Sequence, residues 1–177
     1  MTSYVLLFDI DGCIADWSHR LHHIEITKIE GNQPIDIRPI MDPKPYADWD
    51  AFYAAMPDDP VLPGATIWNL LANQAAMIQK AVIAKALNIE YPVCDILTCR
   101  PEKMRAVTVD WLERNGLMLP RALHMRADDD NRPHHEIKLE MYRQHYAGKE
   151  EVLAFYDDNA DTIAAFKALG ITCYHVQ

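Results

Sequence analysis

The chain has 177 residues, half of them hydrophobic and 24% charged, with a formal net charge of −9, the composition of one globular domain large enough to bury a real core. It holds no apolar run of membrane-spanning length and no basic N-terminal region leading into a hydrophobic stretch, so no membrane association and a cytoplasmic location are expected. The acidic balance argues against a large non-specific nucleic-acid surface, yet residues 100–149 carry 10 of the 17 Lys and Arg against 8 of the 26 Asp and Glu, and this middle segment would receive an anionic substrate.

In chain order, the apolar run over residues 4–8 predicts a buried strand that enters Asp9-Ile10-Asp11-Gly12. Residues 14–62 then break the pattern. A helix-like piece over 18–30 ends at Gly31-Asn32, and a Pro-rich stretch over 34–63 encloses a short amphipathic piece, 47–56. We read 14–62 as a small cap-like insertion lying over the end of the first strand, because structureless loops of this length are uncommon without function. Pro63-Gly64 opens a helix over 65–87. A second strand over 93–97 ends at Thr98-Cys99-Arg100, and Pro101 begins a helix that Gly116 stops. A short strand over 122–125, the acidic loop Asp128-Asp129-Asp130 and a helix over 134–145 follow. The strand over 152–156 runs into Asp157-Asp158, and a helix over 160–169, capped by Gly170, leads to a last strand over 171–176.

This alternation predicts an α/β fold, a three-layer Rossmann-like parallel sheet with a small insertion after the first strand, in one domain over 1–177. No GxxxxGK[ST] motif is present, which excludes P-loop nucleotide binding. Cys13, Cys94, Cys99 and Cys173 form no CxxC pair; reduced thiols are expected, with a zinc site on Cys94 and Cys99 as the alternative.

The chemistry concentrates at strand ends, where parallel sheets bind ligands. Asp9 and Asp11 repel each other unless a cation or a shared proton lies between them. Such a pair before a glycine turn suits phosphoryl transfer, with one carboxylate as nucleophile, the other as acid and base, and Mg²⁺ bridging. The second strand end carries Thr98 and Arg100, a basic approach with Arg126, Arg132 and Lys138 follows the third, and Asp157-Asp158 closes the fourth.

Asp9 and Asp11, Thr98, Lys138, and Asp157 with Asp158, in that order, resemble the haloacid dehalogenase superfamily of phosphohydrolases. The resemblance implies Asp9 as nucleophile, Asp11 as acid and base, and Thr98 and Lys138 as partners of the phosphoryl oxygens. It implies a Mg²⁺ cofactor held by Asp9, the Asp11 carbonyl and Asp157, with Asp158 nearby. An acid at position 11 implies a phosphatase. Arg20 eleven residues after Asp9, Arg100 after Thr98, Met125-Arg126 leading into Asp130-Asn131-Arg132, and the run FYDDNADTIAAFKALGITCYHV resemble, more closely, the 3′-phosphatase domain of bacteriophage polynucleotide kinase-phosphatases. That likeness implies substrate contacts from Arg20, Arg100 and Arg132, and a phosphorylated nucleic-acid end or nucleotide as substrate, with no obligate protein partner. The chain departs from it in three ways: the kinase half is missing, Cys13 replaces Thr or Ser, and His134 stands where the family has an acid four residues before the lysine. A nucleotidase or small-metabolite phosphatase is the first alternative and a non-catalytic binding domain the second. His19, His22 and His23 share one helical face, read as a face of the insertion packing near the active site, with a metal or phosphate contact as the alternative. Trp17, Trp49, Phe52 and Tyr53 are read as its core, with nucleobase stacking as the alternative.

Overall fold

A computed structural model describes residues 3–24, 48–80 and 92–176. Its helices and strands are β1 (Ser3–Phe8), α1 (Trp49–Ala54), α2 (Gly64–Lys80), β2 (Val93–Pro101), α3 (Arg105–Arg114), β3 (Leu123–Arg126), α4 (His134–His145), β4 (Glu150–Asp157), α5 (Ala160–Lys167) and β5 (Cys173–His175). β1 is central because its apolar residues are unbroken rather than alternating. Leu6 and Phe8 enter one apolar layer with Trp68 of α2 and Trp111 and Leu112 of α3. Val5 and Leu7 enter the other, with Ile137 and Met141 of α4 and Phe166 of α5. Both faces are therefore covered, as an all-parallel sheet requires. The sheet order is β3-β2-β1-β4-β5, with every pairing parallel.

The chain builds outward from β1 to β3 and then crosses back to β4 on the other side of β1. The direction of winding reverses between β1 and β4, the crevice in which open parallel sheets bind ligands. Phe8 pairs with Tyr156, so the residues that follow, Asp9 and Asp157, emerge side by side.

The segment read as an insertion is joined at its base by one antiparallel bridge between Ala15 and Val61, where Asp16 N–H donates to the Pro60 carbonyl (2.8 Å) and Leu62 N–H to the Ile14 carbonyl (2.8 Å). Within it α1 is capped by Asp48, whose carboxylate accepts from Ala51 N–H at 2.9 Å. Phe52 and Met56 are buried, and the Trp111 indole N–H donates to the Asp59 carbonyl at 2.9 Å, pinning the returning chain to α3.

Several element boundaries differ from the sequence reading. The helix expected over 18–30 begins as a 3-10 turn, Ser18–His23, with no side chain capping its start; residues 25–30, and the Pro-rich stretch up to 47, lie outside the described residues, as do 81–87 of the expected second helix. β2 runs on to Pro101, and a 3-10 turn, Glu102–Met104, intervenes before α3. Among the described residues no helix is long and apolar enough to cross a membrane. All four cysteines are free thiols, and Cys94 and Cys99 belong to the apolar layers on opposite faces of the sheet.

Phe8 is buried between Trp68 (centroids 5.1 Å, edge-on) and Tyr156 (4.4 Å, stacked). Phe8→Ala should cost about 3–5 kcal/mol, read as a lower urea midpoint with an unchanged slope; a cost below about 1 kcal/mol would show that this layer does not carry the fold.

Candidate active site

Asp9 follows the last residue of β1, and Ile10–Ala15 closes into a tight turn in which the Ile10 carbonyl accepts from Ile14 N–H (2.7 Å) and Ala15 N–H (2.9 Å). Gly12 makes that turn possible. Its φ is +76°, and a Cβ there would lie 2.0 Å from Asp158 Oδ2, so a side chain is excluded both by conformation and by space. The glycine lets the loop after β4 approach the loop after β1.

Three carboxylates meet in this crevice. Asp9, Asp157 and Asp158 each offer an oxygen within 4.8 Å of the other two, and Asp9 and Asp157 are buried. Lys138, reaching in from α4 and fully buried, places its ammonium 2.7 Å from Asp9 Oδ2 and 2.7 Å from Asp157 Oδ2. Burial opposes the lysine's charge, but Asp157 and Asp9 outweigh it and hold its pKa well above the ordinary value. Burial raises Asp9 well above the usual carboxylate range against the pull of Lys138, with Asp157 and Asp158 adding to the rise. Burial first and Asp157 second lift Asp158 to about 6.

Fully ionised, the three carboxylates would outnumber the one ammonium, and the upward shifts of Asp9 and Asp158 express that imbalance. Asp9 Oδ1 is moreover buried with no hydrogen-bond partner among the described residues, which is costly unless something is bound there. Three clustered carboxylate oxygens are the donor set of a hard divalent cation such as Mg²⁺, so the residues present fit one.

Asp11 faces a different set of groups. Its Oδ1 accepts from Arg20 Nη2 (2.7 Å) and Arg100 Nη2 (2.7 Å), and its Oδ2 from Arg100 Nε (3.1 Å). Although burial opposes ionisation, the Arg100 and Arg20 guanidinium groups hold the Asp11 carboxyl down at about 2. Both arginines are buried and share a second carboxylate, Asp59, whose Oδ2 accepts from Arg20 Nη2 at 2.9 Å and Arg100 Nη2 at 2.8 Å. Burial pushes Asp59 up to about 6 despite these partners. The Arg20 guanidinium also lies over the Phe52 ring, 4.5 Å from its centroid. Thr98 is buried at the end of β2, where its hydroxyl accepts from Arg100 N–H at 3.2 Å.

The structure thus brings together Asp9, Asp11, Thr98, Lys138, Arg20, Arg100, Asp157 and Asp158. It does not bring in Arg132, which is half exposed and clamped to Asp130 and Glu140, each at 2.6 Å. His134, at the start of α4, is held at about 4 by burial and by the neighbouring Lys138 charge, so a neutral imidazole stands where the resembled family has an acid. His19 lies at the edge of the cluster, 3.7 Å from Asp59.

Asp59 was missed in the sequence, where it is one acid of Asp58-Asp59-Pro60 in a Pro-rich stretch with no periodic signal. Arg126 gained no site assignment either. It is buried, and its guanidinium donates to the Cys99 carbonyl (2.9 Å), the Asp130 carbonyl (2.7 Å) and the Tyr53 hydroxyl (3.0 Å). All are uncharged, so among the described residues this buried cation has no carboxylate partner.

The family model described as the polynucleotide kinase PNKP phosphatase domain matches residues 74–177. Among solved structures, the chain is similar to one in a Pnkp1/Rnl/Hen1 complex (TM-score 0.66, 16% identity, covering 99% of this chain and 45% of that one). It is also similar to one in the Pnkp1/Rnl/Hen1 RNA repair complex (0.66, 18%, covering 99% and 42%). A haloacid dehalogenase-like hydrolase from Streptococcus pneumoniae aligns at TM-score 0.57 and 14% identity, covering 98% of this chain and 84% of that one. At these identities the likeness is one of fold, and the chain spans less than half the length of the two Pnkp1 chains. No curated protein sequence matches it.

Two predictions follow from the arginine cluster. Asp59→Asn should lower kcat by about 100-fold, the scale for groups displaced by roughly an ångström, and Asp59→Ala should also lose about 3–5 kcal/mol of stability by stranding two buried guanidinium groups; unchanged kcat in the Asn variant would remove Asp59 from the machinery. Asp11 has a folded pKa of about 2 against an ordinary 3.8, so it contributes stability that is complete above pH 4 and disappears as pH falls toward 2. The gap in urea midpoint between wild type and Asp11→Asn should therefore narrow over that interval, and a gap independent of pH would contradict the ion pairing.

Proposed function

The chain belongs to the family of PNKP phosphatase domains and is a phosphatase of the haloacid dehalogenase fold, and we propose that it is a Mg²⁺-dependent phosphomonoesterase that removes 3′-phosphates from nucleic-acid ends through an aspartyl-phosphate. The observation that carries the mechanism is Asp9: one carboxylate oxygen is fixed by Lys138 and the other is buried with no hydrogen-bond partner among the described residues, as a nucleophile waiting for an electrophile would be. Mg²⁺, held by Asp9, Asp157 and Asp158, would supply charge neutralisation for the phosphoryl oxygens.

In the first step an Asp9 oxygen attacks phosphorus as the bond from phosphorus to the leaving 3′-oxygen breaks, and Asp11 delivers a proton to that oxygen. In the second step water attacks the same phosphorus, Asp11 takes up the water's proton, and the bond to Asp9 breaks to release inorganic phosphate. Thr98 and Lys138 steady the phosphoryl oxygens. With a pKa of about 2, Asp11 is a carboxylate in the free protein, the form the second step needs. For the first it must be protonated once substrate is bound. A phosphate dianion that draws Arg100 or Arg20 toward itself would relax their hold and raise the Asp11 pKa.

Preference for a nucleic-acid end over a free metabolite is supported by Arg126, a buried guanidinium beside the same strand ends that forms no salt bridge with a carboxylate among the described residues, which suits a further phosphate of a polynucleotide. A nucleotidase remains the rival, favoured by the net charge of −9. Phosphate release from a 3′-phosphorylated oligonucleotide and from a panel of nucleoside monophosphates should favour the oligonucleotide, fall to background with a chelator, return with Mg²⁺, and be abolished in Asp9→Asn. Faster release from free monophosphates would make the protein a nucleotidase. Equal inactivity of wild type and Asp9→Asn on every substrate would leave a binding domain.

A further inference from the structure

The aromatic residues of the insertion do not all pack alike. Phe52 is buried under Arg20 and meets Trp17 and Trp49 edge-on, at 6.1 and 5.5 Å between centroids. Trp49 and Tyr53, four residues apart on α1 and so on one face, are only half buried and stack on each other at 6.0 Å with 28° between their planes. They are not left to find their own orientation. The Tyr53 hydroxyl accepts from Arg126 Nη2 at 3.0 Å, and the same guanidinium donates from Nε to the carbonyl of Cys99, the residue after Thr98. Lys103, from the turn that follows β2, lies 5.9 Å from the centre of the Tyr53 ring and pairs with Asp50 of α1 at 3.2 Å.

A half-exposed pair of stacked rings, locked to the strand end that carries the phosphate-binding threonine and flanked by two cations, is what a nucleotide requires: an apolar ring surface for its base beside positive charge for its phosphates. A core pair needs neither the exposure nor the cationic rim. We propose that Trp49 and Tyr53 form a stacking wall for the nucleobase of the 3′-terminal nucleotide, so that the enzyme reads the base next to the phosphate it removes. This inference rests on the nucleic-acid reading above and adds to it a specificity determinant within the insertion.

The test compares two oligonucleotides of equal length carrying a 3′-phosphate, one ending in a normal nucleotide and one in an abasic sugar. Stacking of one base is worth roughly a 5- to 150-fold change in affinity, and wild type should show a KM lower by such a factor for the normal end. Trp49→Ala should lose that discrimination, and Trp49→Phe, which restores a ring, should regain most of it. Quenching of tryptophan fluorescence on titration with the normal oligonucleotide, diminished with the abasic one, is expected in wild type and Trp49→Phe should reduce it. Equal KM for both ends in wild type, with active turnover, overturns the stacking wall while leaving the nucleic-acid substrate intact. No turnover of either oligonucleotide, with free nucleoside monophosphates or methyl phosphate still hydrolysed, overturns the nucleic-acid reading and this inference with it.

Discussion

The arrangement of this protein depends on one buried cation. Lys138 sits 2.7 Å from both Asp9 and Asp157, carboxylates that leave neighbouring strands in the same direction because those strands are parallel and in register. Without the ammonium, two buried carboxylates at the ends of β1 and β4 would repel each other across the crevice, and both could not stay ionised together. With it, α4 is fixed over the β1–β4 pair, and the negative charge left over is what makes the crevice receptive to a divalent cation. The same contact therefore secures a helix to the sheet and sets the electrostatics of the site. Burying three such groups is expensive, and burial of this kind is often retained for function rather than stability.

A second charge cluster does for the insertion what Lys138 does for the sheet. Asp11 comes from the turn after β1, Arg20 and Asp59 from the two sides of the insertion's base, and Arg100 from the end of β2. Two guanidinium groups alternate with two carboxylates, so the charges cancel locally and the insertion is held to the strand ends by fork-like hydrogen bonds. Asp11 and Asp59 share the same arginines and still shift in opposite directions, to about 2 and about 6. For Asp11 the arginines prevail over burial; for Asp59 burial prevails over the arginines. A substrate phosphate that competes for either arginine would act on both carboxylates, which couples the occupancy of the site to the seating of the insertion.

How much of this was legible beforehand follows from the kind of signal each feature leaves. β1, β2 and β4 are apolar runs, and helices such as the one from Ala160 have capping or stopping residues at their ends, here Asn159 and Gly170, so the parallel α/β order could be read directly. Asp9, Asp11, Thr98, Lys138 and Asp157 could be picked out because each follows a strand or lies one helix away from it. Element ends were less legible. The extension of β2 through Pro101 and the 3-10 turn at Ser18–His23 depend on pairing with β3 and on where Arg20 is anchored, neither of which a local pattern encodes. Arg132 was expected as a phosphate contact only through the family resemblance, and it pairs instead with Asp130 and Glu140.

Sequence by itself determined the sheet, its helical layers and the list of strand-end groups, because hydrophobic periodicity and the position of polar residues after apolar runs are local properties of the chain. Only the tertiary structure decided which of those groups face one another. The partnership of Asp59 with Arg20 and Arg100 joins residues 39 and 41 positions apart, and the lock between Tyr53 and Arg126 spans 73. Charge pairing acts through space, over a few ångströms, and leaves no period in the sequence from which it could be read.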